Sequence, residues 1–128
     1  MGAPAAVQGD RITGVCTHHS IPGGSGNPQP VPAMDFSAPL TKGLAASVEI
    51  MGKPAAVQGS SGYNTPPHKP SLHPSDPYAT PQSQEGKVAG GAPTVEFEGR
   101  PAASAAAQVH MCRLPGQLAA TATTVEIG

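Results

Sequence analysis

The sequence predicts a small all-β protein built from three related β-hairpins, and three observations support this fold class. A ten-residue segment recurs, a short strand pattern precedes its copies, and the 128 residues include 16 Gly and 16 Pro. This Gly and Pro content excludes long helices and coiled coils. Two Phe, two Tyr and no Trp leave few bulky side chains for an ordinary core. We therefore expect something besides apolar burial to stabilise the fold.

The repeat organises the whole chain. The opening MGAPAAVQGD returns as MGKPAAVQGS from Met51 and, more weakly, as EGRPAASAAA from Glu98. SVEI and TVEF directly precede the second and third copies, and TVEIG forms the last residues. The first and last segments therefore complete one another, which predicts a closed pseudo-threefold cone or prism. We expect a single domain over 1–128, with units at about 1–50, 51–97 and 98–128. The glycines that share one phase of the repeat are Gly2, Gly52, Gly99 and Gly128.

Each unit is expected to form a β-hairpin. Val-Glu-Ile alternates apolar and charged residues, as a half-buried strand does, so the glutamates should face solvent. Met51-Gly52 and Glu98-Gly99 then stand where a two-residue turn needs positive φ. A proline starts each return strand, where its missing N–H is tolerated, and the two following alanines let three strands approach a common axis. The strand glutamates are Glu49, Glu96 and Glu126, and the prolines are Pro54 and Pro101.

Two segments, at about 20–40 and 61–84, are rich in proline and glycine. Their composition predicts long, extended, polyproline-like loops that lie over the surface. The third unit has no such insertion.

The His and Cys residues follow the phase of the repeat, and this predicts a metal site. His18 and His68 each lie eight residues after Asp10 and Ser60, the last residues of their repeat segments. His110 and Cys112 follow the third segment more closely. Loops at one end of a threefold body would bring these groups together, and four N and S ligands are the set that a structural zinc site requires. The predicted zinc ligands are His18, His68, His110 and Cys112, with His19, Cys16 and His73 as alternates. Zinc near the apex would compensate for the small core.

Charge and motif content exclude several functions. Seven basic and eight acidic residues give a net charge of −1, so the sequence predicts no binding to nucleic acid or to an anionic membrane. No apolar run suggests a signal peptide or a membrane span, and we expect a soluble chain. Paired carboxylates, a Ser-His-Asp order and a phosphate-binding loop are also missing, so the sequence predicts no enzyme.

With these residues in view, the chain resembles the PAAR-repeat proteins, which cap the spike of type VI secretion systems and related phage-tail-like contractile injection particles. The resemblance rests on Pro-Ala-Ala at positions 4–6, 54–56 and 101–103, each after a glycine turn, and on Gly9-Asp10 before a His- and Cys-bearing loop. Val7, Val57 and Ser104 replace the arginine of the repeat, which favours a divergent, PAAR-like relative.

The resemblance implies a β-rich cone with zinc bound by three His and one Cys near its point. It also implies a structural role: one chain caps a homotrimeric spike and sharpens it for mechanical puncture of the target envelope. Assembly would take place in the bacterial cytoplasm, and the chain would then sit at the tip of the particle, exposed to or delivered into the target cell. Because the sequence finishes in the closing strand, no fused effector is expected.

Two alternatives remain open at the level of sequence. The same His and Cys residues are compatible with a zinc-dependent hydrolase or a metal-binding module. The proline-rich segments are compatible with a flexible interaction linker.

Overall fold

The computed structural model describes residues 3–31, 33–69, 71–112 and 114–127, so the predicted phase glycines Gly2 and Gly128 lie outside the described residues. Within these ranges the chain forms short β-strands and one 3₁₀ turn, Pro81–Ser83. The predicted all-β class is confirmed. The strands are β1 (Ala3–Ala5), β2 (Arg11–Cys16), β3 (Ser20–Pro22), β4 (Pro28–Pro30), β5 (Met34–Pro39), β6 (Ala45–Ile50), β7 (Lys53–Ala55), β8 (Ser61–Tyr63), β9 (Glu85–Val88), β10 (Ala92–Phe97), β11 (Arg100–Ala102), β12 (Val109–Met111), β13 (Leu114–Pro115), β14 (Gln117–Ala119) and β15 (Ala122–Ile127).

Three of the strand pairs are equivalent hairpins: β15 with β1, β6 with β7, and β10 with β11. Each hairpin contains one Ala–Ala pair, one Glu–Pro pair, and an irregularity of register between them. The predicted association of the first and last segments is confirmed, because β1 and β15 pair in antiparallel fashion. The Glu–Pro pairs are Glu126–Pro4, Glu49–Pro54 and Glu96–Pro101. All three glutamates are exposed, as predicted.

The two described hairpin turns have the backbone that their sequences predict. Met51 and Gly52 have φ values of 53° and 80°, and Glu98 and Gly99 have 54° and 76°. Positive φ at both central residues defines the type I′ turn, whose twist matches that of the flanking strands. Glycine at the second position removes the steric cost there.

The three hairpins meet through a closed cycle of backbone hydrogen bonds. The amide of Ala6 donates to the carbonyl of Ala103 (3.1 Å), Ala103 donates to Ala56 (3.0 Å), and Ala56 donates back to Ala6 (2.9 Å). All three alanines are almost fully buried. Next to this cycle, three isolated β-bridges also link the hairpins to one another: Val7–Ala55, Val57–Ala102 and Ser104–Ala5. The small side chains of Ala6, Ala56 and Ala103 add little bulk where the three backbones approach one another.

The buried apolar residues among those described form two clusters. One cluster joins the three hairpins, and it contains Ile50, Ile127 and the Ala–Ala pairs. The other lies among sheets β14–β2–β5 and β13–β12–β9–β8, where Ile12, Phe36 and Leu40 pack with both cysteines. This second cluster surrounds the candidate site.

The predicted surface loop at 20–40 requires correction. Strands β3 and β4 form a hairpin, and β5 pairs with β2 along its whole length. Met34, Phe36 and Ala38 alternate into the core with Asp35 exposed, which is the period of a half-buried strand. The neighbouring prolines concealed this pattern in the sequence.

The second insertion agrees only in part with the prediction. Residues 61–63 are strand β8, and the described residues of 64–84 are irregular apart from the 3₁₀ turn. The segment does not lie only on the surface, however. It places four polar side chains in buried positions next to the second apolar cluster. These are Asn64, His68, Asp76 and Gln84.

Candidate metal centre

Four buried side chains converge beside the second apolar cluster: Cys16, His19, His68 and Cys112. One ligand atom from each residue lies within 4.8 Å of those from the other three. A tetrahedral ion with Zn–S near 2.3 Å and Zn–N near 2.0 Å separates its donors by about 3.3–3.8 Å, so a small contraction would complete such a shell. The group could therefore hold a metal ion.

Local backbone geometry turns both cysteines inward. Cys16 is the last residue of β2, on the same buried face as Ile12. Cys112 directly follows buried Met111, and strict strand alternation would place its side chain on the opposite face. Its φ of 45° lies in the left-handed region, which is costly for a residue with a Cβ. This conformation allows two consecutive side chains to be buried, and it directs the second thiol toward the site.

His19 has an environment typical of a metal ligand. Its Nδ1 lies 3.2 Å from Oδ2 of Asp76, while its Nε2 is buried and has no hydrogen-bond partner among the described residues. A carboxylate on one ring nitrogen orients the ring and leaves the lone pair of the other nitrogen for a metal. This buried, unpartnered Nε2 is the structural feature that most directly supports a metal site here.

Asp76 is itself held by backbone donors. The amide of Ser20 donates to Oδ2 (3.0 Å), and the amide of Tyr78 donates to Oδ1 (2.8 Å). Burial raises the pKa of this carboxyl, but the two amides and His19 outweigh burial and hold the pKa below its usual value. Asp76 is therefore a carboxylate that can accept the Nδ1–H of His19.

His68 is fixed by a buried amide network from the same proline-rich segment. Its backbone N–H donates to Oε1 of Gln84 (2.9 Å), which also accepts from Nδ2 of Asn64 (3.0 Å). Oδ1 of Asn64 in turn accepts from the amide of Ser37 on β5 (2.9 Å). The ring of His68 lies 4.6 Å from that of His19, and its Nε2 is 3.9 Å from Sγ of Cys112.

The two thiols differ in acidity. The neighbouring thiol of Cys112 lowers the pKa of Cys16 to about 4, assisted by His68 and His19 and opposed by burial. The same interaction, together with burial, raises the pKa of Cys112. Because metal ligation requires thiolate, a bound cation would displace the protons of both thiols.

The structure places the sequence-predicted ligands in two groups. His68 and Cys112 belong to the cluster, as do the alternates Cys16 and His19. The other three lie outside it: His18 and His110 are exposed, and His73 is half-buried.

Local backbone geometry explains why some of the predicted ligands lie outside the cluster. His18 lies at a bend after β2, where its ring contacts that of His19 at 4.4 Å, so the buried position falls one residue later. His110 is the central residue of β12, and its neighbours Val109 and Met111 occupy the buried face. The period-two pattern of Val-His-Met was the sequence signal that could have excluded His110. His73 contacts Ser75 and the carbonyl of Gly26 at the surface.

No protein-family model matches this sequence, and comparison with curated proteins finds no relative. In the part of the chain that the structure describes, no helix is long and apolar enough to cross a bilayer. The fold and site therefore define the protein only as an all-β chain with a buried Cys and His cluster that could hold a metal ion.

Proposed function

We propose that the chain is a structural spike-tip protein of a contractile injection particle and that zinc bound by Cys16, His19, His68 and Cys112 stabilises it. Two thiolates and two neutral imidazoles suit zinc, whereas calcium and magnesium prefer oxygen ligands. Four protein donors fill a tetrahedral shell, so the proposed role is structural and the site leaves no position for a reacting water. When bound, zinc would crosslink three separate segments of the chain, at Cys16–His19, His68 and Cys112.

The observation that supports the spike-tip role is the closed cycle of Ala6, Ala56 and Ala103. One chain with three equivalent hairpins offers an approximate threefold face to a homotrimeric partner, while itself occurring once per trimer. The hairpin cluster would form the broad docking base. The metal centre belongs to the other apolar cluster, and in this proposal it stabilises the narrow end that concentrates contraction force on the target envelope.

Three half-buried valines at equivalent hairpin positions are the proposed docking contacts: Val48, Val95 and Val125. Each precedes a strand glutamate, so the base would present an apolar centre with an acidic rim. Val15, on β2, is more exposed and belongs to no hairpin, which makes it a matched control position.

Light scattering on a mixture with the purified homotrimeric spike protein of the same particle tests this proposal. We expect one chain per trimer, and we expect Val95→Glu to abolish the complex while Val15→Glu leaves it intact. Three chains per trimer, no complex, or equal effects of the two substitutions would contradict the proposal. A particle lacking the tip protein should assemble or kill less efficiently.

A further inference from the structure

The junction between the second and third hairpins is closed by a basic side chain. Nη1 of Arg100 donates to the carbonyl of Gly43 (2.9 Å), and its Nη2 lies 3.4 Å from the carbonyl of Leu44. Oγ of Ser60 donates to the same Gly43 carbonyl (3.0 Å). Two side-chain donors thus satisfy the backbone where β6 begins.

The junction between the third and first hairpins has the same backbone plan. Ala3 pairs with Ile127 as Arg100 pairs with Phe97, so Ala3 occupies the position of the arginine. Ala45 and Ala92 begin the equivalent strands β6 and β10. Gly43 and Leu44 directly precede Ala45, so Gly90 and Gly91, which directly precede Ala92, are their equivalents. The position of Ser60 is taken by Ala107, since the amides of both residues donate three residues back, to Val57 and Ser104.

Both side-chain donors are therefore replaced by alanine at this junction. A cavity of about 720 Å³, open to solvent, lies there and is lined by Ala3, Gly90, Gly91 and Ala107, among others. We name the cavity the Ala3 notch. The remaining junction is intermediate, because Lys53 occupies the corresponding position and is exposed.

We propose that the Ala3 notch binds an arginine side chain of a partner protein, whose guanidinium donates to the carbonyls of Gly90 and Gly91. At the equivalent junction, the guanidinium of Arg100 already contacts the corresponding carbonyls, those of Gly43 and Leu44, from within the chain. Guanidinium offers five donors in a planar fork, which matches two adjacent carbonyls better than an ammonium does. None of the described residues that line the notch is acidic, so the contact should be weak alone and useful as one anchor within a larger interface.

The probe for this proposal is methylguanidinium, added to isotope-labelled protein and followed by NMR. Saturable shifts are expected at the amides of Gly90 and Gly91. The Ala3→Arg variant should abolish them by filling the notch from within. Arg100→Ala should create a second binding site, with new shifts at Gly43 and Leu44. Tetramethylammonium, a cation without N–H donors, should produce none of these changes.

Absence of the Gly90 and Gly91 shifts, or their persistence in Ala3→Arg, would overturn the proposal. A second measurement does not depend on free ligand: Ala3→Arg and Ala107→Ser should each raise the melting temperature, by about 2–4 °C for one restored interaction. If neither variant melted at a higher temperature than the wild type, the proposal would also be overturned. The inference is independent of the spike-tip proposal, because both measurements use the isolated chain.

Discussion

His19 and Asp76 are 57 positions apart, yet Nδ1 of the imidazole lies 3.2 Å from Oδ2 of the carboxylate. The contact explains the architecture of the proline-rich segment at 64–84. This segment supplies one candidate ligand, His68, and also the carboxylate that orients a second ligand on another loop. Proline lowers the entropy lost when an irregular segment is fixed in place, which suits a chain that must hold polar groups without a strand ladder.

Replacement of Asp76 by Ala should weaken metal binding by about 10–100-fold, the usual cost of losing such an orienting partner. Without the carboxylate, the ring of His19 loses the acceptor that keeps its proton on Nδ1. Competition with a chromophoric zinc chelator measures the change. Asp35→Ala, at an exposed position of β5, is the control and should bind metal like the wild type. Equal affinities for the two variants would exclude an orienting role for Asp76.

Substitution of a clustered ligand should remove the bound zinc, whereas substitution of an exposed histidine should not. Cys16→Ser and Cys112→Ser are expected to lose stoichiometric zinc and most thermal stability, because structural zinc contributes about 10–16 kcal/mol in zinc-finger peptides. His18→Ala and His110→Ala should retain one zinc per chain. Metal analysis after dialysis, with melting curves before and after chelation, measures both effects. Loss of zinc from His110→Ala would restore the sequence-based ligand set.

Enlargement of an axial alanine should destabilise the protein. Ala56→Leu inserts three carbons where Ala6, Ala56 and Ala103 form their closed cycle, and overpacking of this kind costs about 1–3 kcal/mol. Ala46→Leu, at an exposed position of β6, should stay within about 0.5 kcal/mol of the wild type. Denaturant unfolding of the two variants provides the comparison. Similar stabilities would mean that the axis is not closely packed.

Acid should weaken the contact between the second and third hairpins. The Oγ–H and N–H of Ser47 donate to Glu98, and these bonds lower the pKa of its carboxyl below the ordinary value. A lowered folded-state pKa means that the contribution is present above the unfolded-state pKa, near 4.3, and is lost as pH falls through the folded-state pKa. The melting temperature of Glu98→Gln should therefore approach that of the wild type as pH falls below about 4. Glu96→Gln, exposed on the same hairpin, should show no such convergence.

The hairpins could be predicted from sequence because their determinants are local. Met51-Gly52 and Glu98-Gly99 carry the turn chemistry themselves, and the repeat phase indicates that the two ends meet. Strand β5 was missed for a local reason as well: flanking prolines and glycines outweighed an alternating pattern of only six residues.

The metal cluster could be predicted only in part. Counting along the repeat brought His68 and Cys112 into one place, but it could not show which residue of a neighbouring pair points inward. That choice depends on the bend at His18 and on the left-handed backbone of Cys112. Asp76 had no sequence signal, because a carboxylate within an irregular loop acquires its role only through long-range contact.

X-ray absorption at the zinc edge of the purified protein tests the central claim most directly. We predict one zinc per chain, with two sulfur neighbours near 2.3 Å and two nitrogen neighbours near 2.0 Å. A shell with one sulfur and three nitrogens, a shell with oxygen from water, or the absence of bound zinc would contradict the claim that Cys16, His19, His68 and Cys112 form a closed structural centre.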